Sequence, residues 1–136
     1  MPVNRPSARW LPALTFLAAA AVHADDGDYL FHIQCTGCHR FGQHAYGPDL
    51  CGVEGRHAGS AQGYEYTRAM RDSGIVWSRE QLERFLESPM TVVPGTRMGI
   101  FGFEERSTRE RIAAYVMQRS RAAECRLPVP GQPASP

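Results

Sequence analysis

The chain has 136 residues, 43% of them hydrophobic and 21% charged, with a formal charge of +1 at pH 7. That length allows one domain with a modest core, and the near-balanced charge lacks the basic excess of a nucleic-acid-binding protein. All 15 cations are arginine, and four cysteines need a chemical fate.

Arg5 and Arg9 precede the apolar run "WLPALTFLAAAAV", and the small-residue exit "VHA" closes at Ala24. A basic start, a short apolar centre and an A-x-A-like site predict a secretory signal peptide over residues 1–24. The run is shorter than the roughly 20 apolar residues that span a bilayer, and it contains Pro12. Cleavage rather than anchoring is therefore expected. Loss of Arg5 and Arg9 leaves a mature chain of formal charge about −1. The expected destination is the periplasm, an oxidising compartment in which unprotected thiols pair.

Next, "DGDYLFHIQC" reads as a helix. Tyr29, Leu30 and Ile33 are its apolar positions, and Asp25, Asp26 and Asp28 suit its N-terminal dipole. Residues 42–63 are Gly-rich, contain Pro48 and show little periodicity, so they predict a long loop. "YTRAMRDSG" predicts a short helix closed by Gly74. In "SREQLERFLESP", Ser78 and Gln81 form a capping box, Leu82, Phe85 and Leu86 form a stripe, and Pro89 ends the helix. "MTVVPGTRMGIFGF" reads as an apolar loop. A last helix starts at a second capping box, Ser107 and Glu110, with Ile112, Tyr115, Val116 and Arg119 on its inward side. Residues 127–136 form a Pro-rich flexible tail. The whole predicts an all-α domain with loops too long to hold together without something inside them.

"CTGCH", residues 35–39, has three chemical readings. Zinc needs four ligands, and no second C-x-x-C pair exists among His39, His44, Cys51 and His57. A thioredoxin-type dithiol follows a strand in an α/β unit, whereas this motif follows a predicted helix. Covalent haem attachment uses every residue: two thiols add to the two vinyl groups, and the adjacent histidine ligates the iron. Export fits that reading. A second axial ligand is then wanted. Of the methionines after the leader, Met70, Met90, Met98 and Met117, the last sits on a helix and suits core filling. Met98 follows Pro94 and Gly95, whose turn can present one side chain inward.

At this point the chain resembles a class I c-type cytochrome, the small soluble monohaem carrier, from about Gly27 to Tyr115. The carrying motifs are "CTGCH", "GPDL", "GRHAGSAQGYEYT", "GIVW" and "ESPMTVVPGTRM". The resemblance implies an all-α cytochrome c domain over residues 25–126, with helices and long loops wrapped around one covalent haem c. Cys35 and Cys38 would attach the haem, and His39 and Met98 would ligate its iron. The Pro48 carbonyl would hold the imidazole, and Arg56, Tyr66 and Trp77 would hold a propionate. Charge-assisted pairing by arginine and single donors from Tyr and Trp suit a carboxylate in an apolar pocket.

Two departures stand out. The family's tyrosine near the axial sulfur is Phe85 here. Its lysines around the haem edge are replaced by Met90, Thr91, Glu104 and Glu105, with only Arg97 keeping a cation. The resembling fold also passes the segment after "GPDL" near the end of the last helix, which implies a Cys51–Cys125 disulfide. The implied function is outer-sphere electron transfer by a periplasmic monomer. Its transient partners would be a membrane quinol–cytochrome c reductase complex and a terminal oxidase or reductase, or a photosynthetic centre. Two alternatives stay open: a dedicated electron-transfer subunit of a periplasmic dehydrogenase, and a gas-binding or peroxidatic haem protein with Met98 displaced.

Overall fold

The structure, a computed structural model, describes residues 25–126 together with Met1. The expected signal peptide and the Pro-rich tail lie outside the described residues. Five helices follow in order: α1 (Asp25–Gln34), α2 (Arg68–Arg71), α3 (Arg79–Glu87), α4 (Pro89–Val92) and α5 (Arg106–Arg119), then a 3-10 turn at Ala123–Arg126. Among the described residues there is no strand, only an isolated bridge between His57 and Val76. None of their helices is long and apolar enough to cross a membrane. The all-α expectation holds.

α5 is the central element, because α1 and α3 both pack on it. It buries Ile112, Ala113, Val116 and Met117, so Met117 is core filler as expected. Arg119, on its inward side, lays its guanidinium over the Phe41 ring at 5.8 Å. α1 docks differently from its hydropathy. Tyr29 and Ile33 are exposed at 65% and 52%, whereas Phe31 is buried and stacks between Phe41 and Tyr115 at 5.2 and 5.3 Å. The contact is set by Gly27. A Cβ there would sit 2.7 Å from the Arg111 carbonyl oxygen and 2.9 Å from Tyr115 Cβ. The two backbones cross at a residue with no side chain, and that crossing turns α1 away from its Tyr29–Ile33 stripe.

α3 follows its pattern. Ser78 Oγ accepts from the Gln81 amide at 3.2 Å, and Phe85 and Leu86 are buried. Pro89 does more than end α3. With its missing N–H spent at a first helical position, it opens α4 inside the segment read as a loop. The second capping box is displaced. α5 begins at Arg106 with Glu105 as N-cap, and the Glu105 carboxylate accepts from the Ser107 and Thr108 hydroxyls. Those hydrogen bonds hold its carboxyl below the usual range. Ser107 already lies inside the first turn of α5 and so is not its N-cap.

Gly102 joins the 99–105 loop to α3. Its φ is +93°, and a Cβ would lie 2.0 Å from the Glu87 carbonyl oxygen, while the Phe103 amide donates to Leu86 at 2.9 Å. Gly102→Ala should therefore cost about 2–3 kcal/mol from backbone strain and clash together. Urea unfolding would measure this, and an unchanged midpoint would show that the loop does not need the close approach.

Candidate functional site

A cavity of about 250 Å³ opens where α1, α3, α5 and the two long loops meet. Its walls are mostly aliphatic and aromatic, with Leu82, Phe85 and Leu86 from α3 and Ile112 and Val116 from α5. Each of the sequence-derived candidates Cys35, Cys38, His39, Pro48, Arg56, Tyr66, Trp77 and Met98 lines it. Residues from six separate stretches of chain thus converge on one space.

Cys35, Cys38 and His39 arrive together because α1 does not stop cleanly at Gln34. The Cys35 amide donates to Phe31 at 2.9 Å, and the Cys38 and His39 amides donate to Cys35 at 3.0 and 2.8 Å. This tight turn brings two free thiols and the imidazole to one wall. Burial, and secondarily Cys38, push the Cys35 thiol up to about 11.

His39 Nδ1 lies 3.1 Å from the Pro48 carbonyl oxygen. A carbonyl only accepts, so Nδ1 carries the proton and the neutral ring keeps its lone pair on Nε2. Burial lowers the His39 pKa despite the opposing Pro48 hydrogen bond, which favours that neutral form. Gly47 fixes the ring's plane. A Cβ there would stand 2.4 Å from His39 Cε1, and the Gly47 amide donates to the Cys38 carbonyl at 2.8 Å.

A buried polar knot holds the Gly47–Pro48 segment. Asp49 Oδ1 accepts from the Gly42 and Cys51 amides at 2.8 Å each. His44 Nδ1 accepts from the Asp49 amide at 2.9 Å, and His44 Nε2 donates to the Gln62 carbonyl at 2.7 Å. His44 thereby ties this loop to the one carrying Tyr64 and Tyr66. Arg56 closes the knot, donating to the Cys51 and Asp49 carbonyls at 2.8 and 2.9 Å. Two of its five N–H donors are spent there. The guanidinium is therefore held in place while still bordering the cavity.

Tyr66 is half-buried, with its pKa raised foremost by burial against the lowering influence of Arg56. Trp77 bridges the two halves of the core and meets Phe85 edge-on at 5.2 Å. Its indole N–H has no acceptor among the described residues. Met98 is delivered by a tight turn. The Thr96 amide donates to Val93 at 3.0 Å, with Pro94 and Gly95 between them and Gly95 at φ +96°, the residue preference of a type II turn. Thr96, itself buried, accepts from the Met98 amide at 3.2 Å.

Cys51 and Cys125 sit at disulfide distance, Cα to Cα 5.1 Å. Gly47, His44 and Asp49 escaped the sequence reading as functional residues. Gly47 and Asp49 lay unassigned inside "GPDL", His44 was weighed only as a zinc ligand, and none of them carries a local pattern that distinguishes a buried polar knot from a solvated loop.

The other two readings of "CTGCH" lose their footing. No three His, Cys, Asp or Glu side chains gather as a metal group among the described residues, and no sheet accompanies the motif. The side chains that do gather fit a haem: two free thiols, a neutral imidazole with Nε2 uncommitted, a loop thioether, and an apolar cavity with Arg, Tyr and Trp donors on its border. A glycine flat against the imidazole also leaves that ring a single orientation. The class defined by fold and site is a small helical protein that wraps one covalently tethered haem.

The chain is 43% identical over 93 residues to cytochrome c2 of Rhodopila globiformis, covering 67% of this chain and 88% of the relative. It is 38% identical over 88 residues to cytochrome c-550 of Nitrobacter winogradskyi, covering 62% and 81%. It is also 34% identical over 112 residues to cytochrome c-554 of Methylosinus trichosporium, covering 78% and 84%. No protein-family model matches the chain. The chain belongs to the cytochrome c family. Its cofactor is one covalent haem c, and it is an electron-transfer protein that works with redox partners rather than an enzyme.

Proposed function

We propose that this cytochrome is a periplasmic one-electron carrier, exported by the 1–24 leader, with its haem held by Cys35 and Cys38 and ligated by His39 and Met98. When bound, the haem supplies an iron that cycles between ferrous and ferric states. The carrying observation is the convergence of a neutral, singly oriented imidazole and a turn-presented thioether on one cavity. Pro48 keeps the proton on Nδ1, so Nε2 remains a ligand at neutral pH. Arg56, Tyr66 and Trp77 offer donors to propionates that would otherwise be buried unpaired. The Cys51–Cys125 disulfide clamps the loop that bears Pro48. With His39 and Met98 both holding the iron, the haem would offer no open site to a substrate, and the apolar walls from α3 and α5 would shield it from water.

Its partners on this reading are a membrane quinol–cytochrome c reductase complex and a terminal oxidase or reductase, met transiently by a monomer. Met98→Ala tests the ligand set. The oxidised variant should lose the thioether-to-iron charge-transfer band and its reduction potential should fall, since methionine ligation raises the potential. A variant whose band and potential match the wild type would remove Met98 from the iron.

A further inference from the structure

We propose that the haem-edge face docks a redox protein whose own docking face is an apolar centre ringed by cationic side chains. This inverts the polarity that a lysine-rimmed cytochrome c would present. The inference rests on the carrier reading and adds the chemistry of the partner.

The exposed residues lining the cavity mouth are Gln34, Cys38, Tyr46, Arg97 and Gly99, and Arg97 is their single charge. It is drawn over the Tyr64 ring, 5.9 Å from the centroid. Beyond the mouth the chain turns apolar and then acidic. Ile100 and Phe103 line the cavity, yet Phe101 between them is 104% exposed. Gly102 presses on the Leu86 and Glu87 carbonyls, so Phe101 emerges beside the α3–α4 junction. There Met90 is also half-exposed, at 50%. An unsupported aromatic of this kind has no stabilising role in the monomer, and aromatics and methionine are what protein interfaces use as anchors.

Charge sets the partner's sign. Glu104 and Glu105 follow Phe103, both are exposed, and neither carboxylate has an ion-pair partner among the described residues. The neighbouring cations are engaged: Arg106 pairs with Glu110 at 2.7 Å, and Arg109 pairs with Glu87 at 3.5 Å and donates to the Phe103 and Glu104 carbonyls. Arg84 forms no ion pair among the described residues, and it shares its surface pocket with Glu80, Glu83, Glu87, Arg106 and Arg109. An apolar knob with two exposed carboxylates beside it, both outside any ion pair among the described residues, complements cations and opposes an acidic face. One electron crosses in the encounter. No bond forms or breaks and no proton moves, so the face need only bring the partners close.

The test is stopped-flow electron exchange of the haem-loaded protein with a lysine-rimmed cytochrome c, across a range of ionic strength. The wild-type rate constant should fall several-fold as salt rises from low to physiological, because opposite charges attract. Glu104→Gln with Glu105→Gln should flatten that dependence. Since Glu105 also caps α5, Glu104→Gln alone provides a second variant, with a smaller flattening. Phe101→Ala should slow exchange roughly fivefold to tenfold, the loss of one interface anchor. A rate that rises with salt, or a salt dependence untouched by Glu104→Gln, would overturn the proposal, as would a Phe101→Ala rate equal to wild type. Exchange of the wild type with hexacyanoferrate judges the carrier reading separately, because that small reagent needs an accessible haem edge and no docking face.

Discussion

Gly47→Ala should dislodge His39 from the position in which it would ligate the haem iron. The new methyl would meet Cε1 at 2.4 Å and both ring nitrogens at 2.7 and 2.8 Å, and neither side can retreat. The imidazole is tied to Pro48 and follows directly on Cys38, while Gly47 is hydrogen-bonded through its own amide to that same Cys38. Gly47 is not among the glycines with positive φ, so backbone strain does not contribute. The whole effect is the collision with the ring. Overpacking of a fixed site costs about 1–3 kcal/mol, and the double tether puts this case at the upper end. Two readings follow: a lower unfolding midpoint, and a mixed or high-spin visible spectrum as the imidazole leaves the iron. A variant as stable and as low-spin as the wild type would mean that the glycine does not set the ring's place.

Removing the link between Cys51 and Cys125 is expected to be the largest purely thermodynamic change. The two cysteines are 74 residues apart in sequence, and closing such a loop restricts the unfolded chain by about 4 kcal/mol in the chain-entropy account. For a domain of this size that corresponds to a fall in Tm on the order of 20 °C. The double variant Cys51→Ala/Cys125→Ala avoids a stray thiol. Its native structure should persist near the site, because the Gly52 amide still donates to Ser120 at 2.9 Å and Asp49 still anchors the Cys51 amide. Reduction potential should therefore move little while Tm drops. An unchanged Tm would contradict the assignment, as would two alkylatable thiols in the native protein that are not bonded to haem.

The sequence made the chemistry of this protein more legible than its packing. "CTGCH" and "PGTRM" are local patterns with local causes, a helical turn carrying two thiols and a Pro-Gly turn presenting a thioether. α3 was likewise legible, since its cap and its apolar stripe agree. Where the cause is non-local, the pattern misled. Gly27 contributes nothing to a hydropathy stripe, yet the close approach it permits decides which face α1 buries. Ser107 and Glu110 have capping-box spacing, but α5 begins at Arg106, so Ser107 already lies within its first turn. α4 is too short and too apolar throughout to show a period. The His44–Asp49 knot joins residues that no motif connects, and only the folded loops bring Gln62 and Gly42 to them.

On the proposed reading, His39 and Met98 would together ligate the iron of the covalently bound haem. The most direct measurement is the visible spectrum of the mature protein purified from the periplasm, recorded oxidised and then after dithionite. The account predicts a low-spin oxidised spectrum with a thioether-to-iron charge-transfer band, which disappears on reduction as the sharp ferrous bands of a six-coordinate c-type haem rise. A high-spin oxidised spectrum without that band would contradict it.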